Sequence, residues 1–187
     1  MRALPLLLLV ACADPAEPPS TEPVGACDGM VTTEHATSAA HVEPGSQISW
    51  TNNPPTGGTH FGVWGAWDRQ YGDLPRGYWV HNLEHGGIVL AYHCAQPCPE
   101  VVDSLVAAAK AMAPDPMCEG SVKKRVIITG DALLPDGVQV AAVAWNHAYT
   151  ASCYDPYVET FAAEHYAKGP ENFCSDGLNL GGTFIEP

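Results

Sequence analysis

The stretch "VHNLEHGGIVLAYH", Val80 to His93, sets two imidazoles, His81 and His85, ahead of a run of branched and aromatic residues. From Gly86 onward it reads as a buried strand, because "IVLAY" is a short continuous apolar run with glycines in front of it. Whether the histidines belong to that strand or to a helix before it decides what they can do. As one strand, Val80 to His93 puts residues 81 and 85 on one face and turns Glu84 to the other, since side chains alternate with period two. Glu84 then has an outer role unless Gly86-Gly87 introduces a bulge. As a helix, "HNLEH" fits the H-x-x-E-H pattern of the inverzincin metalloproteases, where two histidines bind zinc and the glutamate activates water. The glycine pair and the strand that follows at once argue against a helix. A continuous helix over residues 78–90 would restore the peptidase reading.

Outward from this stretch, residues 46–80 are rich in Gly, Pro, Asn and Trp and read as a long irregular loop stiffened by aromatics, of the kind that carries function. Downstream, Pro99 opens "PEVVDSLVAAAKAMA", whose Val101, Leu105, Ala108, Ala109 and Met112 recur at helical spacing. "KKRVIITG" and "VQVAAVAWNH" read as two strands, joined by the turn-rich "DALLPDG". "DPYVETFAAEHYAKG" reads as a closing helix, with Asp155 as N-cap and Gly169 just past its end. Strand, helix, strand, strand, helix predicts a single compact α+β domain over residues 27–187. Its sheet is expected to be mainly antiparallel, with two helices on one face beside the long aromatic, Gly/Pro-rich loop.

The N-terminus predicts the compartment. "MRALPLLLLVAC" has one basic residue, Arg2, before an apolar run too short to span a bilayer, the plan of a secretory signal over residues 1–11. "LVAC" resembles a bacterial lipobox, which makes Cys12 the expected lipidation site. Ala13, where an Asp would retain the protein at the inner membrane, leans towards the outer one. Residues 12–26 are mostly Pro, Glu, Ser, Thr and Ala and read as a disordered tether. The other cysteines, Cys27, Cys94, Cys98, Cys118, Cys153 and Cys174, form an even set and suggest up to three disulfides. Cys153 with Cys174 and Cys98 with Cys118 flank the two helices, so pairs that clamp them are expected. "CAQPC" has one residue too many for a C-x-x-C metal or redox pair. With 8 Lys and Arg against 21 Asp and Glu, a net charge of −13, nucleic acid is not an expected partner. The expected partner is the membrane, through the N-terminal lipid; no protein partner is legible.

"NPPTGGTH", "VHNLEHGGIVLAY" and "AAVAWNH…FAAEHYAKGPE" occur in this order, and together they resemble the bacterial domain-of-unknown-function family 3105. The resemblance runs from about His41 to Glu171. It implies a secreted or membrane-anchored protein and brings no activity with it. His60, His81, Glu84 and His85 match the family's motifs, and His41 stands where members often show "HV…G". Gly57 replaces the usual serine and Thr59 the usual proline, so no role of that serine carries over.

The site expected from these residues is a transition-metal centre. A loop stiffened by two prolines and freed by two glycines can deliver His60 to His81 and His85, with His41 or Glu84 as a further ligand. Three imidazoles with an open position suit zinc or copper, and copper outcompetes other divalent ions at nitrogen sites of unconstrained geometry. Trp64, Trp67 and Trp79 are candidates to wall the site. The alternative is an interaction module, in which Glu84 pairs with His81 or Arg76 to pin an aromatic binding loop. Such a module has no reason to gather His60, His81 and His85. No G-x-S-x-G or free thiolate supports a nucleophilic hydrolase, and a metal-dependent hydrolase is the third reading. His93 is too far along a strand to share the site. His147 and His165 read as surface or helix-face residues, and His35 as part of a looser N-terminal segment.

Overall fold

A computed structural model describes residues 18–185. The expected signal peptide over residues 1–11 and Cys12 lie outside the described residues. In chain order the elements are β1 (Ser20–Pro23), β2 (Met30–Thr33), β3 (His41–Val42), β4 (His60–Phe61), β5 (Arg69–Tyr71), α1 (Arg76–Glu84), β6 (Ile88–Tyr92), α2 (Pro99–Ala111), β7 (Val126–Gly130), β8 (Val140–Ala144), β9 (His147–Ala151), α3 (Tyr157–His165) and β10 (Thr183–Phe184). Eight strands form one sheet in the order β1-β2-β9-β8-β6-β7-β5-β10, while β3 and β4 make a separate pair. Only β5–β7 and β6–β7 are parallel within the large sheet, so the α+β, mainly antiparallel expectation holds. Among the described residues no helix is long and apolar enough to cross a membrane.

The centre of the sheet is buried on both faces, which is why β6, β7 and β8 read as unbroken apolar runs. Ile88 and Leu90 of β6 join Val126, Ile128, Val140 and Ala142 on one face, packed against Leu105 of α2 and Phe161 of α3. Val89 and Ala91 alternate to the other face with Ile127, Ala141 and Val143. Two helices cover the first face, as expected. The second is covered by α1 and the aromatic loop, through Trp67, Tyr71, Leu74, Trp79, Val80 and Leu83.

Four expectations need correction. "VQVAAVAWNH" is two strands rather than one: Trp145-Asn146 turns the chain, with Ala144 paired to His147 and Asn146 in the left-handed region at φ 69°. Asn tolerates that conformation, which lets a hairpin form without glycine. The tether is ordered at Ser20–Pro23, which pairs antiparallel with β2. All four side chains of β1 are exposed, so it adds backbone hydrogen bonds to a sheet edge without adding core. The closing helix is shorter than expected, though Asp155 does accept the Tyr157 amide at 2.7 Å.

The fourth correction concerns the disulfides. The pairs are Cys27–Cys153, Cys94–Cys98 and Cys118–Cys174, with Cα separations of 5.3, 6.3 and 5.0 Å. Neither helix-clamping pair forms. Cys153 follows β9, beside the start of β2, and the Ser152 amide donates to the Cys27 carbonyl. Past α3 the chain crosses α1 on its way to Trp64, whose indole N–H reaches Ser175, and this carries Cys174 away from Cys153.

Candidate metal centre

The first two histidines are set by β3 and β4. These strands pair in parallel with His41 opposite His60, so two imidazoles stand side by side. The stiff loop before β4 does what its sequence suggests. The Trp50 indole N–H donates to the Thr59 carbonyl, and Gly58, at φ 101°, takes a conformation that L side chains rarely adopt. The Gly58 carbonyl accepts the His60 Nδ1–H at 2.7 Å.

The other donors come from α1, and here the strand expectation for Val80–Glu84 is overturned. The helix runs from Arg76 to Glu84 with His85 as its C-cap. Gly86-Gly87, expected as a strand or bulge, is the helix stop. The Gly86 amide donates to Leu83 and the Gly87 amide to Asn82, with Gly86 at φ 78°, which is a Schellman motif. The continuous helix over residues 78–90 that the peptidase reading requires is absent, since β6 begins at Ile88. Gly77 lies against the Phe61 ring with no room for a methyl, so α1 sits tightly on β4. The Phe61 carbonyl then accepts the His81 Nδ1–H at 2.6 Å. On a helix, residues three and four apart share a face. Glu84 therefore points with His81 into the cluster, not away from it.

The rings of His41, His60 and His81 lie 4.6–4.7 Å apart, centroid to centroid. Glu84 Oε2 is 3.0 Å from His60 Nε2, 3.2 Å from His41 Nε2 and 3.7 Å from His81 Nε2. One donor atom from each of the four residues falls within 4.8 Å of the others. Bonds of about 2 Å to a common ion put ligand atoms about 3–4 Å apart, so a small inward movement of the side chains would let all four meet one ion. His60 is fully buried, whereas the His41 side chain is 46 % exposed and forms the open side.

Hydrogen bonding makes this arrangement unusual. An imidazole that donates Nδ1–H keeps only a lone pair on Nε2, and Glu84 as a carboxylate is solely an acceptor. In His60 and His81 the Nδ1–H is committed to a backbone carbonyl, so both Nε2 lone pairs face the Glu84 oxygen. A cation between them resolves the conflict: a proton on a nitrogen, or a metal ion at the centre. Imidazoles held at Nδ1 and aimed through Nε2 are the usual outer support of metal-binding histidines. Burial is the main cause that lowers His81 to about 4, against the pull of the Phe61 carbonyl, so its ring stays neutral at physiological pH. Burial alone would raise Glu84, but a proton shared with the carboxylate from the facing nitrogen of His60 or His41 outweighs it and holds the carboxyl at about 2.

His85 stands one step off. Its Nε2 is 3.1 Å from His81 Nε2, yet it groups with Glu84 and Glu171 instead of the first four residues. Burial, then the charge on His81, lowers it to about 3. Trp64 packs at 4.3 Å and Phe173 at 4.0 Å from its ring, so Trp64 does wall the site. Trp67 and Trp79 belong to the core behind it. Arg76 pairs with Asp131, leaving Glu84 to the histidines. His147 stacks on His165 at 4.2 Å, joining β9 to α3 away from the centre. Glu171 was not foreseen. Its only sequence signal is its place two residues after Gly169, which lets the loop close on α1.

A family model described as "Protein of unknown function (DUF3105)" matches residues 41–176. The chain belongs to that family, and the matched segment begins at His41 and contains His60, His81, Glu84, His85 and Glu171. No curated protein and no solved structure matches the chain.

Proposed function

We propose that this protein is an exported lipoprotein whose domain binds a transition-metal ion through His41, His60, His81 and Glu84. The observation that carries the reading is the convergence of His60 and His81 on Glu84 with both Nδ1–H groups already donated to backbone carbonyls. Three imidazoles and a carboxylate suit copper(II) and zinc(II), with copper the tighter of the two by the general order of divalent affinities. The half-exposed His41 provides the way in, which fits uptake or delivery of an ion. An interaction module that merely pins an aromatic loop has no need of the three clustered rings. The three disulfides fit an extracellular or periplasmic setting.

Titration of the detergent-solubilised full-length chain with copper and zinc at neutral pH tests the metal. Tight binding is expected for the wild type, weakened at least tenfold in His60→Ala and His81→Ala. Equally weak binding by all three proteins would remove the centre. The anchor has its own test: Cys12→Ser should leave the membrane fraction, and a variant that stays there rules out a lipid at Cys12.

A further inference from the structure

We propose that Glu84, His85 and Glu171 form a second divalent-cation subsite, joined to the first through the Glu84 carboxylate. The proposal rests on reading His41, His60, His81 and Glu84 as a metal centre and extends it to two ions.

The Glu84 carboxylate makes its three histidine contacts through Oε2. The hydrogen bonds to His41 and His60 both use Oε2, and a carboxylate can give one oxygen to each of two ions. One donor atom each from Glu84, His85 and Glu171 lies within 4.8 Å of the others, and the Glu171 carboxylate is 3.5 Å from His85 Nε2. The two donor sets adjoin directly, because His81 Nε2 and His85 Nε2 are 3.1 Å apart. Two ions held this way would sit at the separation of about 3.5–4 Å typical of two-metal sites.

The subsite is built, not a chance meeting of surface groups. Gly169 closes the loop on the last turn of α1 so tightly that a methyl there would meet Glu84 and Gly86 backbone atoms. The Glu171 amide then donates to the Glu84 carbonyl at 3.0 Å, which fixes the start of the Glu171 side chain. From the other side, Arg125 Nη1 donates to the His85 carbonyl at 2.7 Å. His85 is 1 % exposed and packed between Trp64 and Phe173. Its Nδ1 is buried without a hydrogen-bond partner among the described residues. In the ion-free protein the His85 Nε2–H donates to the bare His81 Nε2 at 3.1 Å, and with no carbonyl at Nδ1 the proton can move there when a cation takes Nε2.

The chemistry differs between the two subsites. The first offers three imidazoles to one carboxylate, whereas the second offers two carboxylates to one imidazole. Glu171 is half-exposed, so water can complete the coordination of the second ion. An oxygen-rich, water-accessible set takes harder divalent ions than a nitrogen-rich one. Zinc is the common probe, because it accepts both kinds of ligand.

The test is zinc stoichiometry of the full-length chain by native mass spectrometry and calorimetry, with no competing divalent ion present. The wild type should take two zinc ions of distinct affinity. Glu171→Gln, a change at a half-exposed side chain, should take one, with the tighter site kept within about threefold. His60→Ala should lose the tighter ion. A wild type that saturates at one zinc and a Glu171→Gln protein that matches it would overturn the second subsite and leave the first standing. Two ions in Glu171→Gln would also overturn it, by placing the second ion elsewhere. No zinc in the wild type would bring down both readings.

Discussion

Gly169→Ala tests the link between the fold and the site, because this one position holds the loop that carries Glu171 against the helix that carries Glu84. A methyl at Gly169 would lie 2.7 Å from the Leu83 carbonyl oxygen and closer still to the Glu84 carbonyl oxygen and the Gly86 nitrogen. All three are backbone atoms, so no side chain can swing away. Ordinary contact needs 3.4 Å or more, and the loop and the end of α1 must therefore part by about 1 Å. Overpacking of this kind costs roughly 1–3 kcal/mol. The Glu171 to Glu84 and Ala167 to Gly86 backbone hydrogen bonds, at 3.0 and 2.9 Å, are both strained by the shift, at about 0.5–1.5 kcal/mol each. A total of about 2–6 kcal/mol lowers Tm by roughly 4–24 °C in a domain of this size. Calorimetry of the metal-free protein measures it, and metal titration should show weaker binding, since Glu84 moves with the helix end. Gly72→Ala is the control, because a methyl there meets nothing within 4 Å. A Gly169→Ala protein that melts and binds metal like Gly72→Ala would refute the reasoning.

Acid should destabilise the metal-free domain. His81, His85 and His147 are held at about 4, 3 and 4, below the usual 6.5, chiefly by burial. The unfolded chain thus takes up protons that the folded one refuses, and stability falls as pH drops from 6.5 towards 4, by up to about 1.4 kcal/mol per unit for each group. Glu84, held at about 2, adds a loss of the same sign from 4.5 downward. Urea midpoints between pH 7.5 and 4 check this, and a flat profile above pH 5 would contradict it. Among the disulfides, Cys27–Cys153 closes the longest loop, a separation of 126 residues against 4 for Cys94–Cys98. By chain entropy, Cys27→Ser with Cys153→Ser should cost about 5 kcal/mol and Cys94→Ser with Cys98→Ser about 2. Denaturant unfolding of the two double variants should rank them in that order. Phe161→Ala, at a fully buried position between α3 and the sheet, should cost about 3–5 kcal/mol without weakening metal binding.

Where a local pattern and a tertiary role coincide, the sequence was legible. β6, β7 and β8 are apolar runs because both their faces are covered, and α2 shows its stripe because only one side meets the core. The same rule explains the misreading of α1. Trp79, Val80, His81, Asn82, Leu83 and Glu84 are buried on every side, so the helix has no polar face and therefore no helical period to read. Its one local sign, Gly86-Gly87 as a C-cap, equally fits a bulge. Reading it as strand turned Glu84 outward, whereas the helix turns it in.

By itself the sequence determined the fold class, the family and the residue types of the centre. His60, His81 and His85 stand in motifs whose glycines and prolines betray a fixed backbone, and "LVAC" and the even cysteine set point to an envelope compartment. Only the tertiary structure decided which of these residues meet. It set His41 beside His60 through a two-residue parallel pair, brought Glu171 from the far end of the chain onto α1, and chose cysteine partners that no spacing reveals. Local periodicity reports the burial of an element. Which donor atoms share a few ångströms depends on contacts between segments distant in the chain, and one sequence carries no local record of those.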